Sequence, residues 1–263
     1  MLIDTHCHFD TFHQEGTIDA VLSKAEEAGV KRMIAIGTSS EDWTFNKTLR
    51  DQYPERMAYT VGLHPCHVGE DWEDQFVQLA TFFSEEQGPV GIGEIGLDYH
   101  RLSPYPDEAA LTKSWQLEAL RTQLSLVLQF DCPVVIHSRN AFEDCVQTID
   151  DSGIDWQKVV FHCFSEGPDA VRQLNERGAR ASFTGILTYK NAPEVRAAAL
   201  AQGIDSLMIE TDAPYLAPVP QRGKPNEPAF LKHIAEYAAE LFGMDYASFA
   251  EKTTANAKAF WGL

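Results

Sequence analysis

The sequence predicts a (β/α)8 TIM barrel formed by a single domain over residues 1–263. Three observations predict it. Eight short apolar or β-branched runs recur along the chain, each followed by a segment with helical periodicity. No Ser/Gly linker, low-complexity tract or charge block interrupts the alternation, so no domain boundary is expected. Eight such units in 263 residues match the size of this barrel, and the glycine fingerprint of a dinucleotide-binding open sheet is missing after the first run.

The runs, in order, are LIDTH (2–6), RMIAIG (32–37), MAYTVGLH (57–64), PVGIGE (89–94), CPVVIH (132–137), KVVFH (158–162), ARASF (179–183) and SLMIETD (206–212). The segment TIDAVLSKAEEAG (17–29) opens on a capping residue and stops at Gly29, which predicts a helix. TKSWQLEALRTQLSLVLQ (112–129) predicts a second, and two more, around 228–242 and 245–260, close the chain.

Composition narrows the function classes. The formal net charge of −18 repels polyphosphates at long range and argues against broad electrostatic gripping of duplex DNA, so a nucleic-acid substrate must be held locally. Five cysteines without a CxxC pair imply neither a disulfide framework nor a zinc knuckle. With no basic leader before an apolar segment and no apolar run of membrane-spanning length, the expectation is a soluble, unexported, cytoplasmic protein with reduced thiols and no obligate protein partner.

The chemistry-bearing residues fall at one structural point. His6 and His8 in DTHCHF are two apart and share a face at the end of the first strand, whereas Cys7 points away, into the core. Glu94, His137, His162 and Asp212 end four other runs. In a closed barrel these strand ends converge on the mouth that carries active sites. A lone histidine there is ordinarily a hydrogen-bonded structural residue. Six imidazoles and carboxylates together are costly to bury without a cation and form a ligand set around two divalent ions. The mixed donors suit zinc or manganese better than magnesium alone.

Around them, His64 ends TVGLH and is a candidate for substrate contact or for supporting a ligand. Asp98 in GEIGLDY is placed to orient a ligand histidine or a water. Arg139 in HSRN and Lys190 in TYKN follow the fifth and seventh strands, within reach of a phosphate at the mouth. The proline-rich loop APYLAPVPQRGKPNEP (213–228) carries Arg222, Lys224, Asn226 and Glu227 and is read as a stiff substrate-facing wall, with Asn226 a substrate-binding candidate. His13, His67, His100 and His233 fall in loops or helices and are assigned no role.

DTHCHF, GEIGLDY, VVIHSR, HCFSEG, SFTGILTYKNA, ETDAPYL and KPNEP, in this order over nearly the whole chain, resemble the TatD family of metal-dependent deoxyribonucleases, within the amidohydrolase-type barrels. The resemblance implies a two-metal hydrolytic site, often acting as an exonuclease on DNA ends. It assigns His6, His8, Glu94, His137, His162 and Asp212 as ligands, with Glu94 bridging. One departure is Cys66, where relatives often carry histidine after the HP pair. The expected function is hydrolysis of a phosphodiester in DNA or a nucleotide-like substrate, with Asp212 as general base and Glu94 the second catalytic carboxylate. The alternative is hydrolysis of a small ester, lactone or amide at the same dinuclear site, because fold does not fix substrate.

Overall fold

The computed structural model describes residues 1–84 and 87–263. Each predicted run overlaps a strand: β1 (Leu2–Cys7), β2 (Val30–Ala35), β3 (Met57–Val61), β4 (Gly91–Asp98), β5 (Val134–Arg139), β6 (Val159–Phe161), β7 (Arg180–Phe183) and β8 (Met208–Ile209). Among the described residues these strands form one sheet whose order follows the chain, β1 to β8. The pairs β1–β2, β3–β4, β4–β5 and β7–β8 are parallel. Intervening helices and this order give the (β/α)8 connectivity. No helix among the described residues is long and apolar enough to cross a membrane.

The expected helices are present with shifted ends. Ile18–Glu27 stops before Gly29, whose φ of +84° suits a glycine. The long helix runs Pro106–Phe130, beginning six residues earlier than the periodicity suggests because Pro106 occupies its first turn, where no backbone donor is needed. Leu231–Leu241 follows a single 3-10 turn, and Tyr246–Trp261 is capped by Asp245, which accepts from the Ser248 amide at 2.9 Å.

By contact density the chain divides into two compact units, interleaved in sequence. The first holds residues 1–35, 49–58 and 161–263. In it the segment after β8 lies beside β1: the Asp212 amide donates to the His6 carbonyl at 3.0 Å, and the His8 amide to the Ala213 carbonyl at 2.8 Å. Leu2, Val30, Met33, Phe183, Met208, Ile234 and Phe249 are buried in its core. Burying side chains of this size contributes about 1.5–3 kcal/mol each.

The second unit holds residues 36–48 and 59–160. Here Pro106–Phe130 is fastened to strand ends by two buried glutamines. Gln123 accepts from the Leu63 amide at 2.7 Å and donates to the Leu63 carbonyl at 3.2 Å; Gln116 accepts from the Asp98 amide at 3.0 Å and donates to the Pro65 carbonyl at 3.2 Å. Strand backbone that leaves the ladder is thereby satisfied by side chains, and the ends of β3 and β4 are held in place.

Two strands depart from regular pairing where they carry chemistry. Between the pairs Ile92↔Val134 and Ile95↔Ile136, three steps along β4 are set against two along β5, a bulge that contains Glu94. Between Asp4↔Met33 and Cys7↔Ala35 the same mismatch surrounds His6. Bulges re-aim side chains, so neither ligand position follows from simple alternation. Just past this bulge the close approach of β5 requires glycine: Gly96 has a φ of +142°, and a Cβ there would lie 2.0 Å from the His137 carbonyl oxygen.

Candidate metal centre

In the first unit, His6 lies within β1, His8 one residue past it, and Asp212 three residues past β8. Their donor atoms face one another. His6 Nε2 is 3.2 Å from His8 Nε2, and Asp212 Oδ1 is 3.7 Å from the first and 3.4 Å from the second. Donors bound at about 2.0–2.2 Å to one ion sit roughly 3.0–3.6 Å apart, so these spacings are those of a ligand set. Two imidazole nitrogens at 3.2 Å can share one proton at most; a divalent cation satisfies both nitrogens and the carboxylate. Burial by itself raises the Asp212 carboxyl, but the hydrogen bond from His8 and the neighbouring His6, His8 and His162 reverse this and hold it below the usual carboxylate range.

His162 follows β6 and stacks on His6, ring centroids 3.9 Å apart and planes 8° from parallel. Its Nδ1 is 3.4 Å from Glu210 Oε1, which leaves Nε2 as the ligand-capable nitrogen. Glu210, 1% exposed, was not among the residues expected from the sequence. Its Oε1 also accepts from the Cys163 amide at 2.7 Å, while Oε2 takes the Ser182 hydroxyl and, at 3.5 Å, that of Thr5. One carboxylate thus joins the ends of β1, β6 and β7 behind His162.

Asp4 does similar work behind His6. Fully buried, it accepts from the Thr211 amide at 2.9 Å and the Thr211 hydroxyl at 2.5 Å, and burial raises its pKa to about 7 despite those bonds. A signal for both residues exists in the sequence: Asp4 precedes His6 by two, and Glu210 precedes Asp212 by two, each a charged group in an otherwise apolar strand.

In the second unit, Glu94 Oε1 lies 2.8 Å from His137 Nδ1 and 3.3 Å from His64 Nε2. Both Glu94 and His137 sit inside strands rather than at their ends, since β4 continues to Asp98 and β5 to Arg139. Asp98 Oδ2 is 3.1 Å from His137 Nε2. Burial pushes the Asp98 carboxyl up, but its contact with His137 and the amides of the following turn bring it down to about 2. With its proton on Nε2, toward Asp98, His137 would present the Nδ1 lone pair to an ion beside Glu94.

His64 completes this group by distance but not by tautomer. Its Nδ1 accepts from the Cys66 amide at 3.0 Å, so the proton of the neutral ring is on Nε2, the nitrogen that points at Glu94. Burial lowers its pKa to about 4 and keeps it neutral. The ring is thus a hydrogen-bond donor to an anion, not a lone-pair donor to a cation.

The remaining expectations divide. Arg139 and Lys190 are exposed, Arg139 at the end of β5 and Lys190 after the 3-10 turn Gly185–Thr188. Asn226 does not face substrate. It is 0% exposed, and its amide hydrogens go to the carbonyls of Thr211 at 2.8 Å and Tyr215 at 2.6 Å, so nothing is left for a ligand. Its place in the loop 213–228 is structural, a tie across the base. Two further bonds brace the loop: the Tyr189 hydroxyl donates to the Ala217 carbonyl at 3.0 Å, and the Val219 amide to the Thr188 hydroxyl at 2.9 Å. Cys7 is fully buried, as expected.

Comparison with known proteins agrees with this geometry. Residues 3–262 match the model of the TatD-related DNase family. The Escherichia coli K12 protein described as the uncharacterized metal-dependent hydrolase YcfH is 35% identical over 97% of this chain and 93% of its own length. The Erwinia amylovora protein described as the 3′-5′ ssDNA/RNA exonuclease TatD is 31% identical over 93% of each chain. The crystal structure of YjjV, a TatD homologue from E. coli K12, superposes with a TM-score of 0.90 at 27% identity, covering 100% of this chain and 98% of the other. The chain belongs to the TatD-related DNase family and is a hydrolase of that family.

Proposed function

We propose that the chain, acting as one barrel domain, hydrolyses phosphodiester bonds of DNA or a nucleotide-like substrate at strand ends, with two divalent ions held by His6, His8, Glu94, His137, His162 and Asp212. The observation that carries this reading is the pair of donor groups, His6–His8–Asp212 and Glu94–His137, each with imidazole nitrogens within 2.8–3.7 Å of a carboxylate oxygen. The family match and the metal-dependent hydrolase relatives support a metal site at these residues. The mixed nitrogen and oxygen donors suit zinc or manganese, with magnesium serving where it is abundant. Bound ions supply Lewis acidity, making water acidic near neutral pH and offsetting phosphate charge.

The protein's own groups do the rest. Asp212, held anionic among imidazoles, takes the proton of the attacking water at a carboxylate oxygen. Asp98 lies beside His137 Nε2 at 3.1 Å and Glu210 beside His162 Nδ1 at 3.4 Å, and a proton on each of those nitrogens would turn the other nitrogen of each ring to an ion. His64 donates its Nε2 proton to Glu94, and Arg139 and Lys190 add positive charge at the mouth. The net charge of −18 favours a second reading, in which the same groups act on a small ester, lactone or amide.

The test is metal analysis of the purified protein, followed by single-stranded DNA, double-stranded DNA, a chromogenic phosphodiester and simple esters, each with and without chelator. Chelator-sensitive release of nucleotides from DNA ends is the expected result. Turnover of esters or lactones alone would replace this reading with the second.

A further inference from the structure

Tyr215 is the large aromatic side chain that stands in the open beside the first donor group. It is 60% exposed, yet its backbone is fixed on both sides: its amide donates to the Asp212 carbonyl at 2.9 Å, and its carbonyl accepts from buried Asn226 at 2.6 Å. Its ring meets the His8 ring edge to face, with centroids 6.1 Å apart. An exposed tyrosine three residues after a metal-ligand candidate, on backbone this well tied, leaves apolar surface open to water. Farther along the same wall, the exposed Arg222 guanidinium lies 4.2 Å over the Tyr189 ring, with Lys190 next in the chain.

We propose that Tyr215 is a stacking platform for the nucleobase adjoining the bond that is cut, and that Arg222, steadied on Tyr189, takes the neighbouring phosphate. This rests on the phosphodiester reading and adds to it the residues that would hold an unpaired end in place. A ring face binds a base only when that base is unstacked from its own strand, which excludes the interior of a duplex. The platform also accounts for how a chain of net charge −18 holds a polyanion. Stacking adds to the phosphate contact of Arg222, so affinity depends on the base as well as on charge.

The experiment uses the metal-loaded protein and a short single-stranded oligodeoxynucleotide carrying 2-aminopurine at its end, with a phosphorothioate terminal linkage to slow cleavage. Binding should quench the 2-aminopurine fluorescence in the wild type and in Tyr215→Trp, but not in Tyr215→Ala. In parallel, kcat/KM is compared for a normal and an abasic terminal nucleotide. The wild type should prefer the base-bearing end by roughly 5- to 150-fold, the span expected for one stacked base, and Tyr215→Ala should lose that preference. Quenching retained in Tyr215→Ala, or a wild type indifferent to the base, overturns the platform. Quenching without cleavage leaves the platform standing and removes the nuclease reading; no binding of either oligonucleotide removes both.

Discussion

Glu210→Ala and Glu210→Gln separate the two jobs this carboxylate performs. Alanine removes the acceptor of the Cys163 amide and of the Ser182 hydroxyl in a place that water does not reach. Thr5 keeps its other bond, to the Ile209 carbonyl at 3.1 Å. Two buried donors without acceptors, at about 1–3 kcal/mol each, give a loss of roughly 2–6 kcal/mol. For a chain of this size that lowers Tm by about 4–15 °C. Glutamine is different: its carbonyl oxygen still accepts from Cys163, and the Ser182 hydroxyl can turn to accept from the new amide, so the expected loss is under about 1 kcal/mol. Yet the partner 3.4 Å from His162 Nδ1 is then neutral. Replacing such a partner lowers metal affinity by about 10–100-fold. Thermal unfolding by circular dichroism reads the first effect, and competition with a chromogenic chelator reads the second. Wild-type metal affinity in Glu210→Gln would refute the role of the charge in poising His162. A Glu210→Ala melt indistinguishable from wild type would refute the hydrogen-bond accounting.

Asp212→Asn should lower kcat by about 10²–10⁴ at saturating substrate while the melt stays close to wild type, since a base is lost and the shape is kept; unchanged turnover would remove Asp212 from the mechanism. Gly96→Ala drives a Cβ to 2.0 Å from the His137 carbonyl oxygen at a φ of +142°, and should cost about 4 kcal/mol or more, seen as a sharp fall in Tm or in recovery of folded protein. Asp245 caps the last helix, and its bonds from Ser248 hold its pKa below the ordinary 3.8. A carboxyl lowered in the folded state stabilises above 3.8 and loses that contribution as pH falls through its folded value. Asp245→Ala should therefore melt below wild type at neutral pH, and the gap should close in acid. A gap that persists at low pH would place the effect elsewhere.

The strand runs, the helix end at Gly29, and the histidines and acids of DTHCHF, VVIH, HCF and ETD were legible in the sequence because each is a local property. Apolar periodicity and a glycine stop need no knowledge of distant neighbours. What needed the tertiary structure was every choice that depends on a partner far along the chain. His64 lies among ligand-like groups, but the Cys66 amide in the turn after β3 sets its tautomer and makes it a donor. His137 would offer Nδ1 because Asp98, 39 residues earlier, lies beside Nε2. Glu210 reaches Cys163 across 47 residues, and Asn226, a polar residue in a proline-rich loop, is sealed beneath it by two carbonyls. Residue type and order announce that a metal site can form. Which nitrogen faces the ion, and which polar residue is spent on the backbone instead, follows from hydrogen bonds that exist only once the strands are side by side.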